Sequence, residues 1–365
     1  MTETPRIHLP GLNGIRAIAA LAVIFSHIGL SLHMFGLNSL PDIDLAGYGV
    51  TIFFALSGFL ITYLLLIEKE RFERVNIRQF YMRRILRIWP LYYLYIALTL
   101  LVLFIYKEEF PDFRFLLFTI FFSANIPMIM AVPMGLLGHF WSLGVEEQFY
   151  LFWPWFVDRT KKLFKWVLWF VVIFFILKLL AWAWFKRSGE LIPYSIFQVT
   201  RFHCMAIGAA AAILYYNRQQ QFLKISYTLV SQVICWAIIA LLAFSLLPLP
   251  SVIKHELVAL ASVVLIVNVA GNEKAIIKLR GRLPDFLGKI SFGLYVYHPL
   301  VIYLVAKWVG SGLAVFNVTM QHIIIYALVP LATILVAACS YELFEKKFLK
   351  LKTRFSPVLS QAAER

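Results

Sequence analysis

The chain has 365 residues, of which 61% are hydrophobic and 15% charged, with a mean hydropathy of +0.80 and a formal net charge of +15. Water-soluble domains run near about 45–50% apolar, so this composition excludes a soluble enzyme and indicates a polytopic helical membrane protein. The positive charge does not mark a nucleic-acid partner, because the basic residues sit in short segments between apolar stretches and no basic soluble domain exists to hold a duplex.

Apolar stretches fall near 15–35, 47–67, 86–106, 113–131, 140–158, 163–185, 196–216, 225–247, 253–271, 286–309 and 320–345. The connections between them are short, which predicts one membrane domain over 1–350 and a short basic tail over 351–365. The polar segment before Gly14 is short and no small-residue cleavage site follows the first apolar run, so that run is expected to stay in the protein. Arginines and lysines concentrate at 69–87, 159–165, 274–282 and 346–354, and these segments are expected in the cytoplasm; the uncharged connection 310–319 is expected outside. An even number of crossings must then separate 69–87 from 159–165, yet three apolar stretches lie between them. One is therefore re-entrant or incomplete. Segment 113–131, interrupted by Asn125 and Pro127 and followed by Pro133, is the weaker candidate beside 140–158. The expected fold class is all-α: a bundle of about ten transmembrane helices plus one incomplete segment, both termini cytoplasmic.

The first stretch carries two residues that an ordinary anchor would avoid, Arg16 and His27. Eleven residues is close to three helical turns, so both point the same way, roughly 16 Å apart along the axis at about 1.5 Å per residue. Arg16 is expected to reach the headgroups and His27 to sit near mid-membrane, where an ionisable residue is by default a functional candidate. The second stretch, with Gly47, Gly49, Ser57 and Gly58, reads as a closely packed helix serving as a cavity wall. At the entrance to the third, Arg78, Arg83, Arg84 and Arg87 serve orientation, but lysine would do that equally well. Arginines near Tyr81 and Trp89 also suit bidentate phosphate contacts and adenine stacking. Arg84 and Arg87 share a helix face, and Arg83 is one residue off it.

The fifth stretch opens Gly138-His139-Phe140-Trp141-Ser142 and carries Glu146 and Glu147, which cannot both face lipid. Ser142, Glu146 and Tyr150 recur at four-residue steps and form one polar stripe. That stripe is either an interhelical hydrogen-bond seam or the partner of His27, with Glu146 orienting the imidazole. Arg201 is either an interface anchor or part of the site. In the tenth stretch Ser291, Tyr295 and His298 share a face, with Pro299 able to kink the helix beside them. Cys204, Cys235 and Cys339 are far apart and lie in apolar segments, which offers neither a metal site nor a disulfide framework.

Five motifs in order resemble the acyltransferase-3 family of integral membrane O-acyltransferases. They are Gly11-Leu12-Asn13-Gly14-Ile15-Arg16 with His27, Phe53-Phe54-x-Leu56-Ser57-Gly58-Phe59, Arg84-x-x-Arg87, Trp141-Ser142-Leu143-x-x-Glu146-x-Gln148-Phe149-Tyr150 and Ser291-x-Gly293-x-Tyr295-x-x-His298. The resemblance implies transfer of an acyl group, usually acetyl, from cytoplasmic acyl-CoA to a carbohydrate or glycolipid hydroxyl at the bacterial inner membrane, with no metal. It implies His27 as the essential residue, with Arg16, Arg84 and Arg87 on the donor side. Combined with the residue reading, the expected catalytic pair is His27 and Glu146, and the expected donor cations are Arg16, Arg83, Arg84 and Arg87. Trp141, Ser142, Tyr150, Ser291, Tyr295, His298 and Arg201 are expected to serve substrate or oxyanion. Two departures stand out: Thr51 replaces an acid that many relatives carry, and no hydrolase-like extracellular domain follows the last span, as in a stand-alone form. The alternatives are a transporter of a small carboxylate or sugar using the buried Arg, His and Glu, and a lipid-linked sugar transferase working without CoA.

Overall fold

The structure, a computed structural model, describes residues 6–7, 9–40, 44–356 and 359–360; the remainder of the basic tail, 357–358 and 361–365, lies outside the described residues. Sixteen α-helices follow one another among the described residues: α1 Leu12–Leu30, α2 Leu45–Phe72, α3 Ile77–Ile105, α4 Phe113–Ile120, α5 Asn125–Ile129, α6 Trp141–Arg159, α7 Leu163–Ser188, α8 Ile192–Thr200, α9 Phe202–Tyr216, α10 Gln220–Ser226, α11 Leu229–Ala243, α12 Ser251–Gly271, α13 Arg282–Lys289, α14 Ser291–Leu313, α15 Val318–Ser340 and α16 Lys346–Thr353. Arg6–Ile7 pairs in parallel with Leu359–Ser360.

Among the described residues eight helical segments are long and apolar enough to cross a membrane, and α10 with α11, bent by 63°, makes a ninth. Helix α6 is 19 residues long but carries Glu146, Glu147 and Asp158, which makes it too polar to count by composition. With it the bundle has ten crossing candidates. Segment 113–131 is the incomplete one. It folds as an eight-residue and a five-residue helix with a break at Phe121–Ala124, and Phe122 takes a left-handed φ of 55°. The broken backbone packs against protein, as it must at membrane depth: Phe122 O accepts from Gln148 Nε2 at 3.1 Å, and the Asn125 and Gln148 amides bond each other.

Helix α2 is the axis of the fold. It meets α9 so closely that a Cβ on Gly58 would lie 1.9 Å from Met205 O, and one on Gly208 would lie 2.0 Å from Ala55 O. Only glycine allows this approach, and without a hydrophobic drive between helices in lipid, such contact is what holds them together. Helix α1 begins at Gly11, whose φ of 79° favours glycine, and a Cβ there would meet the Val269 side chain at 2.7 Å. By contrast α7 is lipid-facing along most of its length, with Trp166, Trp169 and Trp184 exposed.

Helix α1 stops at Leu30 and the chain rewinds as a 3₁₀ turn over Leu32–Phe35, closed by Gly36 at φ 76°. His27 therefore stands in the last turn of α1. At the C-terminal end, α15 continues through a π turn, Tyr341–Glu345, into α16, so the expected boundary at 350–351 falls inside a helix packed against α3.

Candidate active site

Two cavities lie back to back between α1, α2, α3, α6 and α14. The narrower, about 70 Å³, is lined by Arg16, Arg84 and Arg87 together with Ser57, Glu146, Tyr150, Ser142, Ser291 and Tyr295. The wider, about 870 Å³, opens toward the other end of the bundle. His27, His139, Trp141 and Pro299 line it, and Glu108, Glu109 and Asp112 belong to its rim. Because α1 runs from the first cavity to the second, it presents Arg16 to one and His27 to the other.

Three histidines cluster at the floor of the wide cavity. His298 Nε2 is 2.8 Å from His27 Nδ1, the two rings are nearly parallel with centroids 4.8 Å apart, and His139 lies 5.2 Å from His298. Hydrogen-bond bookkeeping assigns the tautomers. His298 Nδ1 is 2.7 Å from the Tyr295 carbonyl, which can only accept, so this nitrogen carries the proton. Neutral His298 then offers a lone pair at Nε2, and His27 donates to it from Nδ1. The lone pair of His27 is thereby placed on Nε2. Pro299 permits the arrangement, since the helix at His298 lacks one backbone donor.

The expected partner of His27 was Glu146; the structure gives that role to His298. Glu146 belongs to the narrow cavity, where Oε1 accepts from Ser57 Oγ at 2.8 Å and the carboxylate faces Arg84, Arg16 and Arg87. The step from Ser142 to Glu146 to Tyr150 is a real stripe, but it lines the arginine cavity. Arg84 stacks over Phe80 and Tyr150 at 5.6 and 5.4 Å, and its Nε is buried without a hydrogen-bond partner.

Arg83 is a second correction. Nη2 pairs with Glu68 at 2.8 Å and Nη1 donates to Phe355 O at 2.9 Å, so it turns away from the cavity, as its place one residue off the Arg84–Arg87 face allows. Tyr81 and Trp89 are not a stacking platform either. The Tyr81 hydroxyl bonds Leu151 O, while Trp89 stacks on Phe122 and donates to Glu147.

Between the cavities stands a closed hydroxyl pair. Tyr295 donates to His139 O at 2.7 Å and accepts from Ser142 Oγ at 2.5 Å. Both protons are committed in this state, so neither hydroxyl can serve an oxyanion until the pair opens. Ser291 bonds back to Gly288 O and only lines the wall.

Arg201 lines neither cavity. It interrupts α8 and α9 in a left-handed conformation (φ 41°) and donates to Gly47 O, Thr51 Oγ1 and Gln198 O. Its guanidinium lies over the Trp141 ring at 5.4 Å, so it braces the cavity wall from behind. His255 Nδ1 meets the same Thr51 hydroxyl at 3.0 Å, and its Nε2 lies 3.3 Å from Asp44. His255 thus links the Thr51 hydroxyl to the Asp44 carboxylate. Burial pushes the Asp44 carboxyl up, but the His255 hydrogen bond and the Arg201 charge outweigh it and hold the group below the usual carboxylate range.

His139 was missed as a site residue. Its Nε2 is held by Val296 O at 3.0 Å, leaving Nδ1 buried and without a hydrogen-bond partner beside the vestibule floor. The signal was its place two residues before Trp141, but it belongs to the 3₁₀ turn Gly135–Phe140, outside any helical periodicity. Among the described residues no group of His, Cys, Asp and Glu is placed to hold a metal.

A family model described as an acyltransferase domain matches residues 9–341. The chain is 27% identical over 381 residues to the peptidoglycan O-acetyltransferase OatA of Listeria monocytogenes, covering 96% of this chain and 57% of that protein. It is 32% identical over 171 residues to the O-acetyltransferase OatA of Staphylococcus aureus, covering 44% of this chain and 26% of that one. It is 34% identical over 167 residues to a putative peptidoglycan O-acetyltransferase, YrhL, of Bacillus subtilis, covering 41% of this chain and 24% of that protein. The chain thus spans little more than half of the Listeria protein and about a quarter of the others. No solved structure matches it.

Proposed function

The chain belongs to this acyltransferase family, and on that premise we propose that it transfers an acyl group, most simply acetyl, from cytoplasmic acyl-CoA to a hydroxyl of an envelope carbohydrate or glycolipid. The single observation that carries the reading is the back-to-back pair of cavities, with uncompensated guanidinium groups in one and a tautomer-fixed histidine in the other. By the positive-inside rule the arginine end faces the cytoplasm, so the donor enters there and the acceptor comes from the opposite side of the inner membrane.

The donor fits the narrow cavity by chemistry. A nucleotide thioester is a polyanion, and Arg16, Arg84 and Arg87 present planar donors suited to phosphate oxygens, with the Arg84 Nε still lacking a partner. The slender thioester arm then passes where Ser142 and Tyr295 meet, which requires that pair to open. On the far side, Trp141 and Tyr303 offer rings and Ser31, Thr99 and Asp112 offer polar contacts in a cavity wide enough for sugar rings. The Listeria and Bacillus relatives are named for peptidoglycan O-acetylation, which points to peptidoglycan as the acceptor.

Chemistry follows from the tautomer. The acceptor oxygen attacks the thioester carbonyl while His27 Nε2 takes its proton, and the tetrahedral intermediate collapses with loss of the CoA thiolate. The imidazolium returns the proton to sulfur, giving free CoA and the ester. His298 is a positioning residue: the bond from His27 Nδ1 to its Nε2 fixes the ring and strengthens as His27 becomes charged. Opening of the Ser142–Tyr295 pair releases hydroxyls to stabilise the oxyanion.

The test is release of CoA thiol by the purified protein on addition of acetyl-CoA and a soluble muropeptide acceptor. Wild type is expected to release thiol only with both present, and His27→Ala to lose it while folding normally. Normal product from His27→Ala would refute the assignment. Accumulation of a small carboxylate in vesicles without CoA would point to transport instead.

A further inference from the structure

Two of the residues that line the wide cavity carry a buried polar atom with no hydrogen-bond partner: Thr99, through Oγ1, and His139, through Nδ1. Thr99 belongs to α3 and His139 to the 3₁₀ turn Gly135–Phe140. The proton transfer proposed for His27 uses neither. The His139 tautomer follows from its other nitrogen. Nε2 lies 3.0 Å from Val296 O, a group that only accepts, so Nε2 carries the proton and Nδ1 a lone pair. Neighbouring rings hold the imidazole in place: Tyr95 meets it edge-on with centroids 5.3 Å apart, and Phe140 lies at 4.6 Å. Tyr95 also precedes Thr99 by one turn of α3, which puts Thr99 and His139 on the same side of the cavity. The Tyr95 hydroxyl itself is committed to Leu136 O at 2.8 Å.

A buried polar atom left unpaired is unfavourable, and here two of them border one space. Valine at 99 would fill the same volume and remove one of the orphans, so packing alone gives no reason for the hydroxyl. We propose that Thr99 and His139 form a neutral hydrogen-bonding subsite for the acceptor sugar. It takes an uncharged substituent that donates to His139 Nδ1 and accepts from Thr99 Oγ1, chemistry that a hydroxyl and an acetamido group share. Both atoms are covered in the present state. The same hydroxyl pair that must open for the donor arm includes Tyr295, which tethers the His139 carbonyl at 2.7 Å. Its opening frees the turn that carries His139, so the subsite becomes available when the thioester arrives. This inference rests on the acyl-transfer reading and deepens it, by naming residues that recognise the acceptor and are distinct from the base.

The test uses the full-length protein in nanodiscs, with release of CoA thiol followed against a soluble N-acetylated muropeptide and against its de-N-acetylated form. Thr99→Val removes the hydroxyl, and His139→Gln keeps a donor for Val296 O while deleting the lone pair at Nδ1. Each is expected to raise the acceptor KM about tenfold, with the KM for acetyl-CoA unchanged. The melt of Thr99→Val should stay level or rise, because an orphaned hydroxyl has gone, and Thr99→Ser should recover most of the acceptor affinity. If the acetamido group is the ligand, de-N-acetylation weakens wild type by a similar factor and His139→Gln no further; if a hydroxyl is, the two losses multiply. Unchanged acceptor KM in both variants would overturn the subsite and leave the donor side and the His27 base standing. A lower melt with both KM values raised would overturn it in favour of a folding role. Wild type that releases no thiol with either acceptor would sink the acyl-transfer reading itself, and the subsite with it.

Discussion

Lys178 on α7 is wholly buried and donates to Glu256 Oε1 at 2.6 Å, while His203 Nε2 meets the same oxygen at 2.7 Å. At the arginine cavity the situation is reversed. Arg16, Arg84 and Arg87 share Glu146, which already accepts from Ser57, and one guanidinium nitrogen has no partner at all. Both regions place charge inside an apolar bundle. The first pairs its cation with a carboxylate, although Glu256 Oε2 and His203 Nδ1 also lack a hydrogen-bond partner, and it lines neither of the two cavities described above. The second leaves positive charge over and borders a cavity. A buried charge in a membrane helix is therefore not by itself the mark of a site; the mark is charge that the fold does not neutralise, next to space for a ligand.

The largest expected effect comes from removing the proposed general base. His27→Ala should cost about 10²–10⁴-fold in CoA release, the usual worth of a general base, with an unchanged thermal melt. Next comes the balanced cluster. Glu256→Leu strands Lys178 in the bundle and should destabilise the protein by about 3–5 kcal/mol, read as a lower melting temperature with the KM for acetyl-CoA unaltered. The double variant Lys178→Met, Glu256→Leu should recover most of that loss. If Glu256→Leu instead raised KM without lowering the melt, the two regions would not differ as described.

Arg87→Ala should behave in the opposite way. The KM for acetyl-CoA is expected to rise about 10–100-fold through loss of a charged, bidentate contact, and the melt to stay level or rise as like charges separate. Arg87→Lys should restore little, because a point charge does not replace a planar fork. The smallest effect belongs to Asp44. Its carboxyl is held below the ordinary range in the fold, so its contribution is present above about pH 4 and lost as pH falls through the lowered value. Asp44→Asn should therefore flatten the acid limb of melting temperature against pH below about pH 4. The change will be modest because the side chain is 42% exposed.

Much of the architecture was legible in residue order. The apolar stretches marked the spans and Asn125 and Pro127 marked the broken one; the helical spacing put Arg84 and Arg87 on one face, but Arg83 was expected beside them and turns to Glu68 instead. What periodicity could not supply was pairing across the bundle. His27 and His298 are 271 residues apart in the chain, and nothing local distinguishes that partner from Glu146, which also lies on an inward face. Arg201 had the wrong role for the same reason: a left-handed break between α8 and α9 turns it toward Thr51 and the back of Trp141.

The most direct measurement is a cryo-electron microscopy structure of the protein with a non-hydrolysable acyl-CoA analogue. The expected density places phosphates against Arg16, Arg84 and Arg87, opens the Ser142–Tyr295 pair, and brings the acyl carbonyl within reach of His27 Nε2. Nucleotide density away from those cations, or an arm that stops short of the closed Ser142–Tyr295 pair with His27 out of reach, would contradict it.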